Sequence, residues 1–299
     1  MHYHVNGELV PASEASVSVR DRGFMYGDAA FETLRAYGGD VFAWDVHADR
    51  LENTCAVLSL DHGLERDDLY GRVRETLDGN DLEDAYVRLS VTRGVQPGKL
   101  TPSPAVEPTV VVVVKKLPRG GIDGDPTWGG PAPVRTVGTR RIPDESIPAR
   151  AKTHNYLNGI LARLELRGTD AEEALLLDAD GFLTEGSTSN LFFVSDGALR
   201  TPSLRGPVLP GVTRSMVLNL ARSENIPVEE GTYGPEMLYR ADEAFLTNTT
   251  WEVRPVASVD GHAIGGGPVT TLLSTLFDRL VEEQQYERSG ERTISRKER

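Results

Sequence analysis

The sequence predicts a two-domain protein of the mixed α/β (α+β) class, with a small N-terminal α+β domain and a larger C-terminal α/β domain. Its 299 residues suffice for one large domain or two ordinary ones. Segments with strand periodicity and segments with helical periodicity follow one another along the chain. Residues 118–133 are dense in glycine and proline, which is typical of an interdomain loop. This loop divides the chain into predicted domains 1–117 and 134–287, followed by a charged tail at 288–299 that we expect to be disordered.

The N-terminal domain is predicted from three kinds of local pattern. An Asn6-Gly7 pair inside a strand-like segment is typical of a two-residue hairpin turn. Apolar residues at helical spacing predict two amphipathic helices, and runs of β-branched residues predict strands. The predicted helices are 47–60 and 67–77, the predicted strands are 2–10, 86–91 and 109–114, and residues 29–34 fit either a helix or a strand.

The C-terminal domain shows the same two periodicities in a longer series. An Asp180-Gly181 pair between two apolar segments predicts a second hairpin turn. The predicted helices are 156–167, 213–224 and 268–283, and the predicted strands are 134–137, 174–177, 190–194 and 244–247.

The charge balance excludes two classes of partner. The chain has 32 basic and 45 acidic residues, which gives a net charge of −13 and a pI near 5.0. A surface of this sign repels phosphate backbones and anionic lipid, so we expect neither nucleic acid nor a membrane as a partner. Residues 1–10 lack the basic and apolar regions of a secretion signal, so we expect none, and no apolar run is long enough to span a bilayer. The expected location is cytoplasmic.

Cysteine usage excludes two further kinds of site. Cys55 is the only cysteine, so the chain has no intramolecular disulfide and no zinc site built from cysteines. We expect no metal centre. No glycine-rich stretch has the spacing of a dinucleotide-binding or nucleotide-binding loop.

Lys152 is the first candidate functional residue. Only five of the 32 basic residues are lysines, and Lys152 is the one that lies at the entrance of a predicted helix. The others follow a turn, end a strand or lie in the tail. A lysine amine whose pKa is lowered by burial or by nearby cations is a nucleophile toward carbonyls. A surface lysine at a helix start is the equally open alternative.

Glu185 is the second candidate, in the hydroxyl-rich segment Leu183-Thr-Glu-Gly-Ser-Thr-Ser-Asn190. A carboxylate between a hairpin and a strand could hold a heterocyclic nitrogen in its protonated form. The alternative is an exposed acid in a turn, which is the commoner position of a glutamate.

Two further segments have the chemistry of an anion site. Pro210-Gly-Val-Thr213 leads directly into a predicted helix, whose free N–H groups and threonine hydroxyl suit a phosphate. Thr247-Asn-Thr249-Thr250 ends a predicted strand and offers more hydroxyl donors. Ordinary helix capping and a polar turn are the respective alternatives.

In their order along the chain, these segments resemble one family, the class IV aminotransferases, which are pyridoxal phosphate (PLP) enzymes of fold type IV. The resemblance runs from about His4 to Val256. It is supported by Asp21-Arg-Gly-Phe-Met-Tyr-Gly-Asp28, Phe31-Glu-Thr-Leu-Arg35 and His47-Ala-Asp-Arg50. The family includes branched-chain aminotransferases, D-amino acid transaminases and aminodeoxychorismate lyases.

The resemblance implies a role for each matched residue. Lys152 would form the aldimine with PLP and transfer the substrate proton, and Glu185 would pair with the pyridine nitrogen. Tyr156 would lie near the ring hydroxyl. The phosphate would be held by Arg50, Val212, Thr213 and Thr249.

The resemblance also implies a homodimer, PLP between the two domains, and an anionic small-molecule substrate. The residues that would contact the substrate are Phe31, Thr33, Arg35, Arg88 and Thr250. Arg35 and Arg88 are the expected carboxylate contacts, and an exposed ion-pair partner is the alternative for each arginine.

Some motifs of the chain resemble those of one reaction class in the family, and other motifs resemble those of another. Segments 31–35, 152–157 and 201–204 look most like aminodeoxychorismate lyases, which release pyruvate and 4-aminobenzoate, and we expect that reaction first. Residues 249–255 resemble the transaminase version of the loop, so an L-branched-chain aminotransferase that uses 2-oxoglutarate is the alternative. Residues 95–100 lack the Arg and His pair of D-amino acid transaminases. A non-catalytic protein that binds PLP or phosphate is the alternative from a different class.

Overall fold

The computed structural model describes residues 1–119 and 127–287. Within them the chain divides into two compact units. The first unit comprises Met1–Arg119, Ala151–Asn155 and residues 281–287. The second unit comprises residues 127–150 and Tyr156–Leu280. Part of the predicted interdomain loop, 120–126, and the predicted tail, 288–299, lie outside the described residues. The predicted domain boundaries stay predictions.

The first unit contains six strands and three helices among its described residues before Arg119. The Asn6-Gly7 hairpin is confirmed, and residues 29–34, which fitted either state, belong to a strand. The elements are β1 (His2–Val5), β2 (Glu8–Pro11), α1 (Arg22–Tyr26), β3 (Ala29–Tyr37), β4 (Asp40–Val41), α2 (Trp44–Val57), α3 (Arg66–Asp78), β5 (Ala85–Thr92) and β6 (Thr109–Lys116).

These strands form one antiparallel sheet in the order β2-β1-β6-β5-β3-β4. One face of the sheet carries the apolar core. Alternate residues of β3, β5 and β6 pack there against apolar residues of α2 and α3, as the two-residue period of strands requires. Leu34 and Leu89 are fully buried on this face. The opposite face of the sheet carries several of the predicted site residues.

Residues 151–155 attach to the first unit through β3. Phe31 N–H donates to the Lys152 carbonyl at 3.0 Å, and His154 N–H donates to the Ala29 carbonyl at 3.0 Å. Lys152 N–H donates to Thr54 Oγ1 on α2 at 3.0 Å. The backbone of Lys152 is therefore fixed by two elements of the first unit.

Among its described residues, the second unit contains nine strands and four α-helices. The predicted helix 156–167 is shorter in the structure and ends at Leu164, because the next residues continue with i→i+3 hydrogen bonds. The elements are β7 (Ala132–Thr136), α4 (Leu157–Leu164), β8 (Glu173–Leu177), β9 (Leu183–Gly186), β10 (Asn190–Ser195), β11 (Ala198–Pro202), α5 (Val212–Ser223), β12 (Val228–Gly231), α6 (Pro235–Tyr239), β13 (Glu243–Asn248), β14 (Glu252–Val259), β15 (His262–Ala263) and α7 (Pro268–Val281). The π-helix (Glu282–Glu287) that follows α7 belongs to the first unit.

The strands of the second unit pair in the order β12-β11-β10-β13-β14-β7-β8-β9, with β15 beside β14. A further pairing of β9 with β10, between Glu185 and Asn190, closes a ring of six strands. The closing pair therefore includes the predicted site residue Glu185. Among the described residues, no helix combines the length and the apolar character needed to cross a membrane.

The core of the first unit gives a test of the fold. Leu89 is fully buried, so Leu89→Ala leaves a cavity, and we expect a loss of about 3 kcal/mol in the free energy of unfolding. Urea denaturation measures this loss. Leu100→Ala is the matched control, because Leu100 is 78% exposed and its truncation should change stability by no more than about 0.5 kcal/mol. Equal effects of the two substitutions would contradict the burial of Leu89.

Candidate functional site

The first group of predicted site residues lies on the face of the first sheet that is opposite the apolar core. Antiparallel pairing places Phe31 opposite Ser90 and Thr33 opposite Arg88. Directly opposed residues point to the same side of a sheet, so these four side chains share one face. The alternating pattern of β3 separates them from its core-facing residues. The sheet thus brings together three of the predicted substrate residues.

The Phe31 ring is the centre of this group. The Arg88 guanidinium carbon lies 3.8 Å from the ring centroid, and Lys152 Nζ lies 4.5 Å from it. Both distances are within the range of cation–π attraction. The structure therefore places the candidate nucleophile and a candidate carboxylate ligand against one aromatic ring.

Arg88 has an environment that suits an anionic ligand. It is half-buried, and no carboxylate or carbonyl of the described residues accepts a hydrogen bond or forms an ion pair with its guanidinium. A guanidinium has five N–H donors arranged to bind a carboxylate. Arg88 is therefore a candidate ligand for a substrate carboxylate.

His154 completes the surroundings of Phe31. Its ring meets Phe31 edge-on with the centroids 5.5 Å apart, and its Nε2 lies 3.1 Å from Ser90 Oγ. Burial, together with the positive charge of Arg88, lowers the pKa of His154 to about 4. The imidazole is neutral at pH 7 and adds polarity without a further charge.

Arg50 is held by a buried ion-pair cluster on the core side of β3. Its Nε and Nη2 donate to the two oxygens of Glu32, at 2.8 and 2.6 Å. His47 Nδ1 lies 2.8 Å from Glu32 Oε2, and all three side chains are buried. This bidentate contact fixes the plane of the Arg50 guanidinium.

The Glu32 carboxylate is ionised throughout the neutral range. Burial by itself would raise the pKa of Glu32, but the charge of Arg50 and hydrogen bonds from Arg50 and His47 lower it to about 2. Burial is the largest cause that acts on the pKa of His47, and it lowers this pKa. The cluster pairs the Arg50 cation with the Glu32 anion, and the His47 ring lies against the same carboxylate.

Arg35 has a different environment from the one expected of a substrate ligand. It is fully buried, and its Nη2 donates to the carbonyls of Leu117 and Pro118 at 3.4 and 3.0 Å. Its guanidinium lies 4.9 Å from the Tyr37 ring centroid. These contacts hold the chain that follows β6, and we therefore leave Arg35 out of the proposed substrate site.

In the second unit, Glu185 is buried at the end of β9 and surrounded by donors. Arg141 Nε lies 2.8 Å from Oε1, while the Leu209 N–H and the Asn190 side-chain amide donate to Oε2 at 2.9 and 3.3 Å. One cation and two N–H donors stabilise the ionised carboxylate. An exposed acid in a turn, the alternative raised by the sequence, is excluded because Glu185 is 7% exposed.

The anion site predicted at 210–213 is the N-terminus of α5. Gly211 is the N-cap residue, no side chain caps the first turn, and Val212 and Thr213 are buried. The free N–H groups and the positive end of the helix dipole at this point attract a phosphate. The sequence predicted this start within one residue.

The remaining predicted contacts lie at other ends of elements in the second unit. Asn248 Oδ1 organises the turn after β13 by accepting from Thr250 N–H at 3.0 Å, Thr250 Oγ1 at 3.1 Å and Trp251 N–H at 2.7 Å. Thr249 is half-buried in this turn. Tyr156 is the N-cap residue of α4 and is half-buried.

The sequence-based prediction assigned no role to four residues at these positions: Glu32, His47, Arg141 and Asn190. Glu32 could have been predicted, because a glutamate at a core-facing position of a strand needs a buried cation as its partner. Asn190 belonged to the segment that was singled out for Glu185. No local pattern could have predicted the role of Arg141, because its contact with Glu185 joins positions far apart in the chain.

The donor set fits PLP. An uncapped helix N-terminus suits its phosphate, a buried ionised carboxylate suits its pyridinium, and a lysine amine suits its aldehyde. Together with the mixed α+β architecture, these groups define the chain as a PLP-dependent enzyme of fold type IV.

Comparisons with known proteins identify the family. The model for "Amino-transferase class IV" matches residues 29–259, and the chain belongs to this family. A Methanocaldococcus jannaschii protein with the provisional name of branched-chain-amino-acid aminotransferase is 38% identical, over 94% of this chain and 96% of that protein. Aminodeoxychorismate lyase of Bacillus subtilis is 30% identical, over 96% and 97%.

Solved structures extend the comparison. The branched-chain aminotransferase of Thermoproteus uzoniensis has a TM-score of 0.87 and 30% identity, and the match covers 96% of each chain. Another branched-chain amino acid aminotransferase, solved with pyridoxamine 5'-phosphate, has a TM-score of 0.88 and 31% identity, over 97% of this chain and 96% of that one. The fold class, the family and the cofactor expected from the sequence are confirmed.

The Glu32 cluster generates a pH prediction. Because the pKa of Glu32 falls from 4.5 to about 2, its ionised form stabilises the fold fully above about pH 4.5, and this stabilisation is lost as the pH falls through 2. We expect a contribution of about 3 kcal/mol, measured as the loss of unfolding free energy between pH 5 and pH 2.

Glu32→Gln removes that part of the pH dependence. Glu52→Gln is the control, since Glu52 is an exposed partner of Arg66 and keeps the Glu32 cluster intact. An unchanged acid dependence in Glu32→Gln would contradict the assignment.

Proposed function

We propose that the enzyme is an aminotransferase that uses PLP to act on amino acids and 2-oxo acids, with Arg88 as the ligand of a substrate carboxylate. The observation that carries this proposal is the half-buried Arg88 guanidinium on the Phe31 ring, beside the Lys152 amine. An amino acid presents a carboxylate and an amine within one short molecule, which matches one guanidinium and one reactive amine on a common aromatic surface.

We assign the cofactor contacts to the residues named from the sequence. Lys152 would hold PLP covalently, Glu185 would hold its pyridine nitrogen in the protonated form, and Tyr156 would contact the ring hydroxyl. The phosphate ligands would be Arg50, Val212, Thr213 and Thr249. When bound, PLP acts as an electron sink for the bond that breaks at the amine-bearing carbon.

The residues of the chain supply binding and proton transfer. With PLP bound, the Lys152 amine would act as the base that takes the proton from the amine-bearing carbon of the substrate and as the acid that returns it. Glu185 keeps its negative charge through Arg141, which favours the protonated heterocycle. Phe31 and Arg88 orient the substrate, and Thr33 and Thr250 complete the proposed substrate contacts.

A branched-chain amino acid is the substrate class that we place first. The M. jannaschii relative and the T. uzoniensis structure both carry a branched-chain name, and residues 249–255 resemble the transaminase loop. This order reverses the one expected from the sequence, where the lyase came first. The amino-group acceptor in this proposal is 2-oxoglutarate.

Aminodeoxychorismate lyase is the second candidate. The observation that favours it is Thr33, which lies opposite Arg88 on the Phe31 face of the sheet, where a hydroxyl could assist proton transfer. The B. subtilis relative bears that name. In that reaction the same proton removal by Lys152 would be followed by loss of pyruvate and formation of 4-aminobenzoate.

One experiment separates the two candidates. Purified enzyme is incubated with L-leucine and 2-oxoglutarate in one sample, and with aminodeoxychorismate in another. We expect glutamate in the first sample and neither pyruvate nor 4-aminobenzoate in the second. The reverse result would replace the aminotransferase by the lyase, and no product in either sample would contradict both.

Arg88 gives a prediction on substrate binding. Arg88→Ala removes the proposed carboxylate ligand, and we expect kcat/KM to fall by about a hundredfold, as for the loss of a charged hydrogen-bonded pair. Most of the fall should come from a higher KM. Arg240→Ala, which alters an exposed arginine of the second unit, is the control. Equal kinetics of the two variants would contradict the role of Arg88.

We further propose that the enzyme is a cytoplasmic homodimer that uses the exposed side of α4. Leu157, Ile160, Leu161 and Leu164 are each at least 40% exposed and form one stripe at i, i+3, i+4 and i+7 spacing. Contiguous exposed apolar stripes mark interaction surfaces. A second copy of the chain is the occupant that the family resemblance implies.

Light scattering after gel filtration tests the dimer. The wild type should have twice the mass of one chain, and Ile160→Glu combined with Leu164→Glu should shift it to the monomer because charges would be buried at the interface. Leu272→Glu on α7 is the control. A monomeric wild type, or a dimer that survives the double substitution, would contradict the proposal.

A further inference from the structure

Asn190 lies where the ring of strands in the second unit closes. It is 5% exposed and is the backbone pairing partner of Glu185. Its side-chain amide nitrogen donates to Glu185 Oε2 at 3.3 Å and to the Leu209 carbonyl at 3.0 Å. One amide group thus joins the end of β9 to the loop that precedes α5.

The oxygen of the same amide faces Gly211, the N-cap residue of α5. A Cβ added at Gly211 would lie 2.0 Å from Asn190 Oδ1, so only glycine permits this approach. Asn190 therefore contacts Glu185 with one end of its amide and the start of α5 with the other.

The backbone before Asn190 is itself fixed by a buried carboxylate. Glu173 is fully buried and accepts hydrogen bonds from Ser187 N–H at 3.1 Å, Thr188 Oγ1 at 2.9 Å and Ser189 Oγ at 3.1 Å. These bonds account for the hydroxyl-rich sequence of the turn. They also leave Asn190 little freedom to move.

We propose that Asn190 is a positioning residue that fixes the Glu185 carboxylate relative to the N-terminal turn of α5. The inference rests on the proposed function, in which Glu185 and α5 bind the two ends of PLP. Asn190 itself contacts no part of the cofactor in this assignment. It acts by holding Glu185 in place and by supplying an N–H donor to its anion.

Two substitutions distinguish positioning from space filling. Asn190→Ala removes both hydrogen bonds and leaves a small cavity. Asn190→Asp keeps the shape but replaces the donor by an anionic acceptor that faces Glu185 and the Leu209 carbonyl. A space-filling role predicts that the variants lose stability but keep the PLP affinity of the wild type when folded. The positioning role predicts weaker PLP binding in both variants, and the weaker binding in Asn190→Asp.

The measurement is the dissociation constant for PLP, obtained by equilibrium dialysis of the holoenzyme, together with the visible band of bound PLP. We expect the PLP affinity to fall about tenfold in Asn190→Ala, the value of one lost hydrogen bond to a charged group. In Asn190→Asp it should fall about a hundredfold, because two carboxylates then adjoin. The visible band should shift in the aspartate variant, because repulsion between the two carboxylates would displace or protonate Glu185 and so weaken its pairing with the ring nitrogen.

Asn219→Ala and Asn219→Asp on α5 are matched controls, because Asn219 is exposed. They should bind PLP like the wild type. Thermal unfolding checks that each variant folds. If Asn190→Ala does not fold, the PLP affinity of Asn190→Asp is compared with that of the wild type alone. The inference would be overturned if Asn190→Asp kept the PLP affinity and the visible band of the wild type. It would also be overturned if Asn190→Ala bound PLP more weakly than Asn190→Asp. Either result would leave the proposed function intact. A wild type that takes up no PLP would overturn both.

Discussion

The attachment of residues 151–155 to β3 is the constraint on which the candidate site depends. Three main-chain N–H groups, those of Phe31, Lys152 and His154, are bonded at 3.0 Å to partners in the other segment or in α2. Backbone hydrogen bonds of this kind hold a segment with little freedom. They place the Lys152 amine beside the Phe31 ring, which also carries Arg88. A change in this attachment would separate the amine from the proposed carboxylate ligand.

The proposed site is positively charged, whereas the chain as a whole carries a net negative charge. The chain has a net charge of −13, yet the proposed ligands of an anionic cofactor and substrate are Arg50, Arg88, Lys152 and a helix N-terminus. The buried Arg50 cation is compensated locally by Glu32. Local pairing of this kind is necessary because an unpaired buried charge costs several kcal/mol. The acidic surface is thus consistent with a site that binds anions.

Local patterns in the sequence were sufficient for most elements and for part of the site. The Asn6-Gly7 turn, α2 and the start of α5 follow from turn chemistry and apolar spacing within a few residues, which a single sequence displays. Lys152 and Glu185 were predicted as site residues from residue type and motif. The pairing of Glu185 with Arg141, and the attachment of Lys152 to the first unit, join segments that are distant in the chain. No local pattern encodes such contacts.

The identity of the lysine that holds PLP tests the proposed site most directly. Purified protein is reduced with borohydride, which fixes the cofactor on the lysine that carries it, and peptides are then mapped by mass spectrometry. The chain has only five lysines, so the assignment is unambiguous. We expect a phosphopyridoxyl group on Lys152 alone. The same group on Lys99, Lys115, Lys116 or Lys297, or no modified lysine, would contradict it.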